Sequence, residues 1–381
     1  MNKTPAWLKA YLVLVAAALL FLLQPKGGTW AWLANVRWLY VFIVAFLFSQ
    51  LLVPVSIKLA WRFGILDRPD EERKLQDHPV ARIGGFAIFI AVILAVGRNL
   101  YFSPQLQALM IAGSLIYLLG FIDDIYRLSA TLRLIVQLIA CFIVVHSGIM
   151  ITAVPDVPGK YLIQVVVTVI WLLGLANAVN FLDGIDGLVC SMSAVCAMIF
   201  FLIGWHTRQS YLAYLTIAIA GACVGFIPYN WRPASVYLGD AGATFLGFML
   251  GGIAVMGTWA HNDPIIALST PLLILGIPIF DMIYTTVSRI NNGSVRTFKQ
   301  WLEFAGRDHF HHRLMNLGLS VPQSVFFILL LNVCLGLGAM VMRGTDTMHC
   351  ILLGVQGVLV FVIIVVLMIR GAELGRGSDG E

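Results

Sequence analysis

The chain has 381 residues, of which 60% are hydrophobic and only 11% charged, with a formal net charge of +5. A soluble domain is about 45–50% apolar and about 25% charged, so a water-soluble globular protein is excluded. Apolar runs near span length recur from end to end, and the short alternating segments of a membrane β-barrel are absent. The expectation is an all-α, polytopic helical membrane protein.

In chain order, the runs predict about twelve spans, at residues 6–23, 38–60, 83–97, 105–121, 131–148, 161–178, 188–205, 211–228, 241–258, 264–288, 322–342 and 350–369. Lys3 and Lys9 precede the first run, as in a signal peptide, but no A-x-A-like site follows, so residues 1–30 read as an extra anchor helix. Residues 31–370 form the main membrane domain, and the tail 371–381 reads as disordered.

The basic residues sort by loop parity. Lys74, Arg82, Arg133, Arg232, Arg289 and Arg313 fall on one side with both termini, while Lys26, Arg98, Lys160 and Arg343 fall on the other. By the positive-inside rule the termini and the long polar loops are cytoplasmic. The positive net charge is therefore topological, and no nucleic acid is expected. The six cysteines lie in or at the ends of apolar runs without CxxC spacing, which suggests buried small hydrophobes and no zinc site.

The acidic residues carry more information, because a carboxylate near hydrocarbon is costly. Asp123 and Asp124 end the fourth run in FIDDIYRLS, and Asp183 and Asp186 end the sixth in NAVNFLDGIDGL. Asp240 opens the ninth in VYLGDAGATFLGF, and Asp281 lies late in the tenth. All six fall at cytoplasmic helix ends, where they can converge on one pocket. The plainer reading of Asp240 is a helix cap, and that of Asp281 a pair with a cation such as Arg289. The adjacent pair Asp123–Asp124 resists such a reading, since neighbouring carboxylates repel unless cations compensate.

Asn177, Asn180, Asp183 and Asp186 are three apart and would drift around a helix by roughly 60° per step, so they do not form one stripe. Gly184 and Gly187 break the helix there, and the segment reads as a helix end folded into a site. Its oxygens suit a hard divalent cation such as Mg²⁺, which takes one or two carboxylates plus water and phosphate oxygens. His309, His311 and His312 stand beside Arg307 and Arg313 in GRDHFHHRL. Their spacing is not that of a helical zinc pair, and histidines with arginines suit anionic oxygens such as a diphosphate. The segment 292–304 could form an amphipathic helix on the membrane surface. Carboxylates for a metal, cations for phosphate and an interfacial location together suggest phosphoryl transfer to a lipid phosphate.

The four stretches FIDDIYRLS, NAVNFLDGIDGL, VYLGDAGATFLGF and HFHHRL, in that order, resemble the polyprenyl-phosphate N-acetylhexosamine-1-phosphate transferases. The resemblance spans roughly residues 38 to 345, and the HxHH form is similar to the GlcNAc-1-phosphate branch. It implies transfer of GlcNAc-1-phosphate from a UDP-N-acetylhexosamine to undecaprenyl phosphate, releasing UMP, at the cytoplasmic face of the bacterial inner membrane.

The resemblance further implies Mg²⁺, with Mn²⁺ as an alternative, held by Asp240 and Asn180. Asp123 and Asp124 would stand beside the reacting phosphates. Asp186 would contact uracil with Tyr237 stacked on it, Asp183 would support that wall, and Asn177 would bind substrate. Arg133 would hold the diphosphate, and His309, His311, His312 and Arg313 the diphosphate or sugar. Lys74 matches a basic family position. A homodimer is compatible with this reading.

The chain departs from the pattern at Gln76, where the family carries His, in a longer loop before Asp308, and in the extra first span. Rival readings are the MurNAc-pentapeptide branch, another UDP-HexNAc donor, or a secondary transporter with buried acids. Transporter sites lie near the midplane, whereas these acids gather at one face.

Overall fold

The computed structural model describes residues 6–23, 36–69, 78–99, 103–126, 128–260, 263–297, 300, 306, 308–343 and 347–378. It is an all-α bundle. The helices are α1 (Ala6–Leu23), α2 (Arg37–Phe63), α3 (Gly85–Asn99), α4 (Pro104–Tyr126), α5 (Ala130–His146), α6 (Lys160–Leu182) and α7 (Leu188–His206). They continue with α8 (Ser210–Asn230), α9 (Gly239–Met256), α10 (Pro264–Ile274), α11 (Gly276–Asn291), α12 (Phe310–Asn316), α13 (Val321–Met342) and α14 (Thr347–Ser378). Among the described residues, eight helices are long and apolar enough to cross a membrane, and the pair α10–α11 makes a ninth candidate. The shorter apolar helices α1, α3 and α5 account for the remaining predicted runs. The protein is a multi-pass membrane protein.

One predicted span is corrected. The run 264–288 is not a single helix but bends by 81° between α10 and α11. Pro278 has no N–H to give to the carbonyl of Ile274, so the helical ladder fails at that point. The Cys196 thiol donates to that carbonyl instead, at 3.3 Å, and the Asn332 amide donates to the Cys196 sulfur. In hydrocarbon a freed carbonyl needs such a partner. Helix α14 extends to Ser378.

Helices α7, α8 and α9 form the centre, with 72–78% of their apolar windows buried, whereas α14 lies at the edge with 17%. Helix α9 packs on α4 and α6. Gly120 of α4 brings the two backbones close: a Cβ there would lie 2.6 Å from the Cα of Ala241. That contact brings the acidic end of α4 against the first turn of α9.

A two-residue strand β1 (Leu66–Asp67) pairs antiparallel with β2 (Val80–Ala81), with Leu66 opposite Ala81. Ala81 also bridges Val236 in the loop before α9. Tyr237 N–H donates to Ala81 O at 2.8 Å, and Gly84 and Gly85 donate to Tyr237 O and Leu238 O. This patch ties the entry of α3 to the entry of α9. At the opposite end, Gln209 donates to Thr258 O and Arg343 to Trp259 O.

Candidate functional site

Asp123 and Asp124 occupy the last turn of α4. Asp123 accepts the Leu128 N–H at 2.6 Å and pairs with Arg133 Nη1 at 3.0 Å, a bond across the α4–α5 turn. Asp124 faces the other way, with its side chain 2% exposed. Its Oδ2 accepts the Ala241 N–H at 3.4 Å. The two adjacent acids thus avoid each other by turning to different partners.

Asp240 stands in the first turn of α9, where negative charge complements the helix dipole. It makes no cap hydrogen bond, and its side chain instead reaches Arg82 Nη2, at 3.0 Å from Oδ2. The same nitrogen lies 3.5 Å from Asp124 Oδ1. Burial opposes the charge on Arg82, but Asp240 and Asp124 outweigh it and raise its pKa. Gly239 makes this geometry accessible, with φ of 79° and a position where a Cβ would lie 2.3 Å from Arg82 O.

Helix α6 ends at Leu182, as the pattern of asparagines and glycines predicts. Asp183 follows as its C-cap, and Gly187 turns the chain into α7 with φ of 80°. The Gly187 N–H donates to Asn230 Oδ1. Asn177 donates to Leu173 O on its own helix. Asn180 keeps a buried Oδ1 with no hydrogen-bond partner.

Asp123, Arg133, Asn177, Asn180 and Asp240 line one open cleft between α4, α5, α6 and α9. Gln137 and Thr244 share its polar wall, while Ile116, Leu119, Leu134 and Phe181 supply an apolar one. Burial pushes the Asp183 carboxyl up to about 8, helped by the charges of Asp240 and Asp124 and opposed by Arg82.

Asp186 faces the loop before α9, accepting the Ala234 N–H at 3.2 Å, with Arg232 Nη1 at 3.7 Å. Burial raises its pKa against these contacts. Tyr237 lies near enough that Asp186, after burial, raises its hydroxyl pKa as well.

The histidine segment divides into separate roles. His309 Nδ1 lies 2.6 Å from Asp281 Oδ2, and its Nε2 lies 3.1 Å from Arg289 Nη2. Arginine only donates, so Nε2 is the bare acceptor and Nδ1–H donates to the carboxylate. Both ring nitrogens are therefore engaged within the protein, and His309 has none left for a substrate. Asp281 pairs with His309 rather than with Arg289, whose Nε and Nη2 instead grip Asp308 at 2.7 and 2.6 Å. Of the six acids expected in one pocket, Asp281 is thus diverted to this clamp.

His311 is fully buried with neither ring nitrogen hydrogen-bonded, and a Cβ on Gly184 would lie 2.3 Å from its Nε2. Burial, then His312 and His309, lower its pKa well below the usual value. His312 lies 4.2 Å away, ring to ring, and Arg313 keeps a buried, unpartnered Nε. The missing side chain of Gly184 thus admits a histidine ring. Lys74 and Gln76 lie outside the described residues, as do 298–299, 301–305 and 307 of the longer loop, while residues 292–297, where the surface helix was expected to begin, are turns and bends.

Sequence reading passed over Arg82, counting it only as a loop cation. Its signal is the ARIGG stretch, an arginine directly before two glycines that allow close backbone approach.

Acids, amides and cations thus gather at one end of a polytopic bundle of membrane helices. The chain belongs to glycosyl transferase family 4, whose model matches residues 106–258. It is 30% identical over 314 residues to a "Probable undecaprenyl-phosphate N-acetylglucosaminyl 1-phosphate transferase" of Bacillus subtilis, covering 81% of this chain and 86% of that protein. It is 29% identical over 356 residues to a "Decaprenyl-phosphate N-acetylglucosaminephosphotransferase" of Mycolicibacterium smegmatis, covering 84% and 85%. It is also similar to an "Undecaprenyl-phosphate alpha-N-acetylglucosaminyl 1-phosphate transferase" of Salmonella typhi, at 28% over 298 residues and covering 76% and 79%.

Proposed function

We propose that the protein transfers GlcNAc-1-phosphate from UDP-GlcNAc to undecaprenyl phosphate in the bacterial inner membrane, with its site and both termini cytoplasmic. The names of the relatives support the acceptor and the sugar, and the basic-loop parity supports the orientation. The observation that carries the reading is the cleft in which Asp123, Arg133, Asn180 and Asp240 meet beside an apolar wall. A lipid phosphate needs both surfaces at once.

An acceptor phosphate oxygen attacks the sugar-bearing phosphorus of the donor. The bond to the bridging oxygen breaks, and UMP leaves with that oxygen. A phosphomonoester has a second pKa of about 6, so the acceptor is mostly dianionic at pH 7 and needs no strong base. Asp123, held by Leu128 N–H and Arg133, is suited to positioning rather than proton removal. Arg133 would pair with a phosphate once one displaces Asp123.

The donor set fits Mg²⁺. Asp240 offers a carboxylate, Asn180 an unpartnered amide oxygen, and Asp124 an Oδ1 that accepts no hydrogen bond. Among the described residues no group of three or more His, Cys, Asp or Glu forms a metal cage. Few protein ligands are usual for Mg²⁺, which keeps water and substrate phosphate in its shell. When bound, it would neutralise charge developing on the phosphates. Asp240 and Asn180 would hold it, with Mn²⁺ able to replace it.

The test is UMP release by the purified protein from UDP-GlcNAc and undecaprenyl phosphate, with and without Mg²⁺. Release that requires both lipid and metal, and is lost in Asp240→Asn, is the expected result. No release with any UDP-HexNAc would overturn the reading.

A further inference from the structure

Two arginines pair with acids at this end of the bundle, and they do so differently. Arg289 is 3% exposed and grips Asp308 through two nitrogens at 2.6–2.7 Å, the geometry of a fixed structural pair. Arg82 is 39% exposed and offers one nitrogen, Nη2, to two acids at once, at 3.0 Å from Asp240 and 3.5 Å from Asp124.

Its backbone, by contrast, is tightly held. The Arg82 N–H donates to Ile65 O at 3.3 Å, Gly239 packs against its carbonyl, and Ala81 and Gly84 bond to Tyr237 on either side. The half-exposed side chain is thus carried on a fixed base.

Asp124 is 2% exposed and so cannot rely on water to offset its charge. Without water it must either take up a proton or be offset by a cation, and Arg82 Nη2 is the cation that stands beside it, at 3.5 Å. A divalent cation held on Asp240 would bring its charge within a few ångströms of Nη2, which lies 3.0 Å from Asp240 Oδ2. Like charges that close repel strongly at reduced dielectric, so the two disfavour each other on Asp240.

We propose that Arg82 is a place-holding cation: it bridges Asp124 and Asp240 while the metal is absent, and yields that position when a divalent cation binds. The inference rests on the metal reading above. Displaced, the guanidinium has carboxylate-free donors in the planar fork that suits phosphate oxygens. The donor's diphosphate is the anion nearest to hand, so Arg82 serves the metal-free site and the substrate complex in turn.

The test is a Mn²⁺ titration followed by electron paramagnetic resonance, on full-length protein in detergent without substrates. Wild type, Arg82→Gln, Arg82→Met, Arg82→Lys and Asp240→Asn are compared. Both neutral variants should bind Mn²⁺ roughly tenfold more tightly than wild type. Arg82→Lys, which keeps the charge, should stay near wild type, and Asp240→Asn should lose the site.

Thermal unfolding supplies a second reading. The neutral variants should melt lower than wild type without metal, and Mn²⁺ should restore them. Equal or weaker Mn²⁺ binding in folded Arg82→Gln and Arg82→Met would overturn the proposal while leaving the metal site intact. Binding by none of the proteins, wild type included, would overturn the proposal and the metal reading together.

Discussion

One carboxylate, Asp281, both orients His309 and starts the helix that follows it. Its Oδ2 lies 2.6 Å from His309 Nδ1, and its Oδ1 accepts the Phe310 N–H at 2.7 Å. Asp281 is 1% exposed and His309 6%, so water cannot substitute for either partner. The bond fixes the ring from α11 and docks α12 beside Phe181, whose ring lies 5.8 Å from that of His309.

Asp281→Asn presents an amide where the imidazole needs an acceptor, or forces the other tautomer against Arg289. Because His309 docks α12, and with it His311, His312 and Arg313, we expect kcat for UMP release to fall by up to about 100-fold, with a smaller change in the donor KM. Steady-state kinetics on protein of unchanged melting temperature checks this. A wild-type rate would mean that the orientation of His309 is irrelevant to turnover.

The metal-free protein should lose stability as pH rises through the neutral range. Asp183 has a folded pKa of about 8 against 3.8 for the free group. Between those values the folded state holds more protons than the unfolded one, so stability falls with rising pH, by at most about 1.4 kcal/mol per unit. Asp183→Asn should flatten that fall in melting temperatures recorded in detergent. An unaltered slope would assign the effect to another group.

His311 should act in the opposite sense. Its folded pKa lies well below 6.5, so below about that pH the unfolded state takes up a proton that the folded state refuses. Acidification therefore costs stability through this residue. His311→Asn should remove that acid limb while leaving the slope due to Asp183, and a melting profile of both variants separates the two.

Removing Asp308 should be expensive. Arg289 is buried, and Asp308→Ala strips away the carboxylate that meets it twice. Breaking a buried pair from one side costs about 3–5 kcal/mol. Denaturant titration in detergent should show a shift of that order, and one below about 1 kcal/mol would place the pair among surface bridges.

The last helix should control the histidine segment through its packing at Gly371. A Cβ on Gly371 would lie 2.4 Å from the backbone carbonyl of Arg313, whereas one on Gly354 of the same helix meets nothing within 4 Å. Asn316 also donates to Gly371 O at 3.1 Å. Gly354→Ala should be neutral or stabilising by up to about 1 kcal/mol. Gly371→Ala should lower both activity and melting temperature, and equal behaviour of the two variants would uncouple α14 from α12.

Much of this was legible in the residues alone. Run length and apolarity determined the helical spans, because backbone polar groups in hydrocarbon must be satisfied within the segment. The end of α6 was readable as well, since Asp183, Gly184 and Gly187 cannot continue a membrane helix at low cost. The bend between α10 and α11 was written in Pro271, Gly276 and Pro278, yet apolarity alone reads straight through it. What hides the break is that its remedy, the Cys196 thiol, comes from another helix.

Composition thus determined a polytopic membrane protein and which helix ends carry its polar groups, and the four ordered motifs carried its resemblance to a transferase family. Only the tertiary structure decided which charge meets which. Asp281 chose His309 over Arg289, His311 took the space beside Gly184, and Arg82 came to stand between Asp124 and Asp240. The physical reason is that hydrophobic length acts locally along the chain, whereas an ion pair depends on separation through space. Those separations are set by how closely helices pack, as at Gly120 against Ala241, and no stretch of sequence contains them.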